Sequence, residues 1–199
     1  MEQLVLRVSE GYLEQRREAI MRVAMRMYCE VGRDVSMARI CEESGIAKGT
    51  IFRYFPTRDE LFRQAFDACR NRALAMAGEG VDGELDDEKT LKALVRQSFE
   101  WPLRFPDEFR FVVMYTDASA FFAMDEDERG GVLFDALGET RFSELASQRL
   151  RPGIDPMLLM RLLSAQINTT CRYLIGRGAA VDEGELSVIV DAIYGSVFR

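Results

Sequence analysis

The sequence contains no histidine. The commonest general base and the commonest transition-metal ligand are thereby both missing. Cysteine is sparse: Cys29, Cys41, Cys69 and Cys171 stand singly and far apart, which is neither the paired spacing of a zinc site nor a disulfide framework. They read as reduced core residues. There is no phosphate-cradling glycine loop and no nucleophile motif, so no catalytic residue, metal ligand or cofactor is assigned. Proline is limited to five residues, and no two β-branched runs are joined by an Asn-Gly or Asp-Gly turn, so an all-α chain is expected. No apolar stretch approaches the roughly 18 to 20 residues of a bilayer span. The start, MEQLVLRVSE, is acidic at Glu2, interrupted at Arg7 and without a small-residue cleavage pattern. A cytoplasmic chain with no membrane partner is the expectation.

What the chain does have is an uneven distribution of charge. The formal net charge is −7 over 199 residues, which by itself disfavours a polyanionic partner. Residues 1–60, however, hold ten Lys/Arg and ten Asp/Glu, so the whole deficit falls on residues 61–199. Between Arg33 and Arg58 the basic residues Arg33, Arg39, Lys48, Arg53 and Arg58 outnumber the acidic Asp34, Glu42 and Glu43. The local excess is what a nucleic-acid partner would meet.

Helix signals follow in close order. Ile20, Val23, Ala24, Met27, Tyr28 and Val31 recur as one buried face of a helix, which Gly32 stops. Ser36 is placed to cap a short second helix with Met37, Ile40 and Cys41 inward, and Gly45 ends it. A third segment runs from Ala47 to Phe55, where Pro56 forbids continuation; TRDE at 57–60 is a capping box for a fourth helix with Leu61, Phe62, Ala65, Phe66 and Cys69 inward. The Gly-rich acidic stretch from Gly78 to Glu88 reads as an exposed loop. Beyond it the pattern predicts a helix from Thr90 to Phe105 kinked at Pro102, and another opened by Pro106. A further helix should run from Asp125–Glu128, read as an acidic helix start, to about Leu150, followed by helices over 156–175 and 183–198.

Two short helices around a glycine turn, the second flanked by basic residues, form the helix-turn-helix pattern whose second helix enters the major groove. The string ICEESGIAKGTIFRYFPTRDELF resembles the signature of the TetR family of transcriptional regulators, over about Ala19 to Phe66. It departs in two places: the turn after Gly32 is one residue short, and Ala47 stands where the family commonly has Ser, so a cap and a phosphate contact are absent. The resemblance implies a helix-turn-helix, three-helix DNA-binding domain over residues 1–60 and a helical ligand-binding and dimerisation domain over 61–199. Ser36 and Arg39 are placed to meet a phosphate strand. Ala47, Lys48, Thr50 and Arg53 occupy the exposed part of the third helix, where Lys48 and Arg53 can donate to guanine and Thr50 can touch a base edge. Gly49 lets the backbone approach the duplex. Tyr54 and Arg58 would donate to flanking phosphates, and Ile51, Phe52 and Phe55 are assigned to the small core.

In the second domain the last two helices resemble the pair the family uses for a homodimer. Leu186, Ile189, Val190, Ile193, Tyr194, Val197 and Phe198 form the apolar side of the last one. The aromatic stretch between them and the linker includes Trp101, Phe105, Phe109, Met114, Phe121 and Phe122; these are candidates for the wall of a small-molecule effector pocket, although any one of them is more readily core filling. Asn168 and Arg172 are polar positions in an apolar helix that could orient a ligand. The expected function is a ligand-responsive repressor that binds a palindromic double-stranded DNA operator as a homodimer. The alternatives are a helical protein-interaction module that has lost DNA binding, and a regulator controlled by a protein partner.

Overall fold

A computed structural model describes residues 2–77, 87–120, 148–150, 152–153 and 155–198. Among these the chain is helical, with one isolated antiparallel bridge between Leu150 and Phe198 in place of any strand. The helices are α1 (Glu2–Val31), α2 (Met37–Ser44), α3 (Lys48–Tyr54), α4 (Arg58–Ala77), α5 (Asp87–Gln97), α6 (Glu100–Arg104), α7 (Pro106–Ala120), α8 (Pro156–Arg177) and α9 (Glu183–Val197). No described helix is long and apolar enough to cross a membrane. The predicted helix before Leu150, its acidic start and the residues 78–86 lie outside the described residues.

The chain divides into two compact units. The first comprises the described residues up to Cys69 together with Arg110–Tyr115. Its centre is built from Ile20, Ala24, Met27 and Tyr28 of α1, Ile40 of α2, Ile51 and Phe55 at α3, and Leu61, Phe62, Ala65 and Cys69 of α4, all buried. Tyr28 makes edge contacts with Phe62 and Phe111, ring centroids 5.0 and 5.5 Å apart. Such aromatic pairs add directional attraction to the apolar area they bury. Cys69 Sγ lies 3.5 Å from Met25 Sδ in the same interior.

The second unit comprises the described parts of 70–109 and 116–199. Leu91, Leu94 and Val95 of α5, Leu163, Ile167 and Cys171 of α8, and Val190, Ile193 and Val197 of α9 are its buried positions. Ion pairs edge this core: Lys92 bridges Glu88 at 2.8 Å and Asp191 at 2.9 Å, and Arg96 pairs with Glu183. Arg177 reaches Glu185 at 2.6 Å, which holds that carboxyl below its ordinary range.

Three expectations need correction. Asp87 and Glu88 open α5 instead of closing a loop, where their charges favour the helix N-terminus. The predicted helix from Thr90 to Phe105 is two helices. The break falls at Ser98 and Phe99, because a proline at 102 cannot bond to the carbonyl four residues earlier and its ring clashes with it. The Ser98 hydroxyl donates back to the Leu94 carbonyl at 3.0 Å, and Phe99 N–H tightens onto Arg96 at 3.0 Å. Pro102 therefore sits in the first turn of α6, where no N–H is needed. On α9, Val190, Ile193, Tyr194, Val197 and Phe198 are core within the chain, and the exposed side carries Val188, Ala192, Gly195 and Ser196.

Candidate nucleic-acid interface

Local chemistry sets the α2–turn–α3 geometry. Ser36, extended at φ −95° and ψ 151°, accepts the Arg39 N–H on its hydroxyl at 3.2 Å and so caps α2. Gly45 closes α2 in the left-handed region at φ 64°, its N–H donating to the Glu42 carbonyl. A side chain there would be strained, which is why the turn needs glycine. The Ser44 hydroxyl donates to the Cys41 carbonyl at 3.2 Å and accepts the Ile46 N–H at 3.3 Å. Ala47 begins α3 without a side-chain acceptor, while its carbonyl receives the N–H groups of Thr50 and Ile51. The short turn after Gly32 is a 3-10 turn over Gly32–Asp34.

Seven residues of α3 divide cleanly. Ile51 is fully buried and so is Phe55 at its end. Lys48, Gly49, Phe52 and Arg53 are exposed, and Thr50 is half-buried. No side-chain position at Gly49 would meet an atom within 4 Å. The Lys48 ammonium lies 5.6 Å from the Phe52 ring centre, and the Arg53 guanidinium 5.8 Å from that of Tyr54. Among the described residues neither cation makes an ion pair, so both charges are available to a partner. Ser36, Arg39 and Ala47 are exposed as well.

Three side chains depart from their expected places. Phe52, assigned to the core, is 37% exposed: at 100° per residue it lies 40° from the exposed Lys48 and 100° from the buried Ile51, at the edge of the apolar face. The Tyr54 hydroxyl is enclosed, without a hydrogen-bond partner among the described residues, and its ring tilts against Phe55 at 6.3 Å. It has no path to a phosphate in this conformation. Arg58 is turned inward, donating to the Arg33 carbonyl at 2.8 Å and twice to Asp59 at 3.1 Å, and so ties the 3-10 turn to the start of α4. Only half of the capping box at 57–60 forms. Thr57 accepts the Glu60 N–H at 3.1 Å, whereas the Glu60 carboxylate is taken by Arg63 and Gln64, which lower its pKa.

The sequence model of "Bacterial regulatory proteins, tetR family" matches residues 20–65, which span the helix-turn-helix and its supporting helices. The helix-turn-helix segment of this chain is that of the TetR family. The chain is therefore a transcriptional regulator with a DNA-binding helix-turn-helix. Along its length it is 25% identical to the HTH-type transcriptional repressor Rv1474c of Mycobacterium tuberculosis, over 97% of this chain and 98% of that one. Its fold is that of a TetR family transcription regulator from Marinobacter aquaeolei, with TM-score 0.73, 16% identity, and 96% and 99% of the two chains covered. A TetR-like regulator from Rhodococcus gives TM-score 0.67 at 18% identity, over 91% and 95%.

The remaining predicted positions lie beyond the matched segment. Trp101 is buried, donates through Nε1 to Glu108 at 3.3 Å and meets Phe109 edge-on at 6.1 Å. Glu108 also pairs with Arg72, whose guanidinium lies 4.9 Å over the Phe105 ring. Trp101, Phe105 and Phe109 thus form one packed cluster with its polar tips satisfied, which is the core-filling role. Met114 packs with the first unit, Asn168 is half-buried and Arg172 exposed on α8, and Phe121 and Phe122 lie outside the described residues. A groove of about 660 Å³ opens between α8 and α9, lined by Thr169, Thr170, Tyr173 and Leu174 on one side and by Gly184, Glu185, Val188 and Ile189 on the other. It contains none of the predicted ligand residues.

Proposed function

We propose that this regulator is a ligand-responsive repressor that binds a near-palindromic operator as a homodimer, with α3 in the major groove. The carrying observation is the outer face of α3, which presents Lys48, Gly49 and Arg53 to solvent while Ile51 and Phe55 hold the helix from behind. Lys48 and Arg53 donate to guanine O6 and N7, and Thr50 contacts a base edge. Arg39, with the Ser36 hydroxyl that caps α2, meets the phosphate strand and sets register without reading sequence. The name of the M. tuberculosis relative supports repression as the sense of regulation.

A single module grips one half-site, so affinity calls for two copies at roughly 34 Å or a multiple of it. The exposed apolar side chains Leu158, Leu162 and Tyr173 on α8 and Val188 on α9 support these two helices as the surface where copies meet. Residues 1–60 act as the reading domain and 61–199 as the dimerising and sensing domain. An effector that prefers the conformation with wrongly spaced reading helices must, by reciprocity, lower operator affinity, typically by roughly 5 to 150-fold.

Selection of bound duplexes from a random pool, repeated with Lys48→Ala and Arg53→Ala, tests the reading. A near-palindromic site is expected, with specificity relaxed by about 1 to 3 kcal/mol for each lost base contact. Equal binding to every duplex, unchanged by either substitution, would refute it.

A further inference from the structure

The exposed face of α3 carries one side chain that charge does not explain. Phe52 stands one turn after Lys48 and three residues after Gly49, so ring, cation and bare backbone share a face. The residue is 37% exposed, and the Lys48 ammonium lies 5.6 Å from the ring centre. The small core does not need it, because Ile51 and Phe55 at the same helix are already fully buried. A lone exposed aromatic is ordinary on a protein surface. This one is set between two exposed cations, Lys48 and Arg53, and beside an open position at Gly49 where no atom lies within 4 Å of an added Cβ.

The chemistry of that ring limits what it can read. Phenylalanine has no hydroxyl, so it neither donates to a phosphate nor accepts from the cytosine amine. In the major groove the apolar group on offer is the 5-methyl of thymine, against which an aromatic side chain packs. We infer that Phe52 is a specificity-determining residue that selects a 5-methylpyrimidine, thymine in ordinary DNA, at one position of each half-site, next to the base contacted by Lys48. The Lys48 cation over the ring holds Phe52 and the charge in one arrangement, so the methyl and the neighbouring acceptor are read together. This rests on α3 being the reading helix.

The selected operator is resynthesised with deoxyuridine in place of each thymidine in turn, which deletes only the methyl group. Binding is then measured for the wild-type chain and for Phe52→Ala. One position per half-site is expected to cost the wild type about fourfold, the equivalent of one buried methyl, and roughly fifteenfold when both half-sites are changed. Phe52→Ala should bind the thymine and uracil duplexes alike. The thermal midpoint of Phe52→Ala is measured alongside to show that the variant is folded at the binding temperature, and the uracil series on the wild-type protein needs no variant at all. The inference is overturned if no uracil position weakens the wild type, or if Phe52→Ala keeps the full penalty; selection that depends on Lys48 and Arg53 would survive either outcome. Should no duplex sequence be selected in the first place, the reading of α3 falls and this inference with it.

Discussion

The same substitution at two glycines four residues apart should move stability in opposite directions. Gly45 ends α2 at φ 64°, and an added Cβ there would meet nothing within 4 Å, so Gly45→Ala adds backbone strain without a clash. The left-handed conformation costs an alanine roughly 1 to 2 kcal/mol. Stiffening of the unfolded chain returns about 0.4 to 1 kcal/mol of this, leaving a net loss of about 1 kcal/mol. Gly49 lies in the first turn of α3 with equally open surroundings. There alanine is the better helix former by up to about 0.8 to 1.0 kcal/mol in a helix interior, and roughly half of that is expected so near the end. With a urea dependence of about 2 kcal/mol per molar, Gly45→Ala lowers the unfolding midpoint by roughly 0.5 M and Gly49→Ala raises it by about 0.25 M. Circular dichroism during urea titration, at one protein concentration for all variants, reads both. Gly49→Ala should then be the more stable protein and the weaker operator binder, because its methyl occupies the space the DNA backbone and bases need. A destabilised Gly49→Ala, or a neutral Gly45→Ala, would refute the conformations on which these figures rest.

Charging the exposed face of α8 and α9 with Leu162→Glu and Val188→Glu should preserve helicity and halve the mass found by sedimentation. Operator affinity should fall with it; a variant that remains a dimer would put the interface elsewhere. Burial pushes the Cys171 thiol up to about 12 from 9.0. It should therefore resist iodoacetamide at pH 8 in the native protein and react in urea, while labelling of native Cys171 as fast as half-buried Cys41 would contradict its placement. The folded pKa is the raised one, so the stability this thiol supplies is complete below pH 9 and lost as pH climbs towards 12. The urea midpoint of the wild type should decline over that window more steeply than that of Cys171→Val.

The helix-turn-helix was legible because each boundary has a local cause. Ser36 supplies an acceptor, Gly45 a positive φ, Pro56 a missing N–H and Thr57 a second acceptor, and each acts within four residues of itself. What could not be read depends on partners distant in sequence or on facing. Arg58 finds the carbonyl of Arg33, 25 residues away, and no pattern announces that. Phe52 lies at the edge of the apolar face, and the pattern beside Ile51 does not say on which side of that edge it falls. On α9 the large apolar residues pack inward, which leaves a face of smaller ones, and pattern alone does not say which face meets another chain. The break before α6 was displaced because proline acts on the carbonyl four residues upstream.

A helix as short as α3 has no stability of its own, since isolated helices below about 12 to 15 residues are marginal in water. It lacks a side-chain cap at Ala47, so packing must hold it. Ile51 and Phe55 provide that hold, four residues apart, while Lys48, Phe52 and Arg53 stay exposed. Holding and reading are therefore interleaved in about two turns of helix yet performed by different side chains. Substitutions at 48, 52 and 53 should change which DNA is chosen without unfolding the domain, and substitutions at 51 and 55 should unfold it without informing on choice. That separation allows the outer face to be replaced residue by residue while the frame that presents it stays the same.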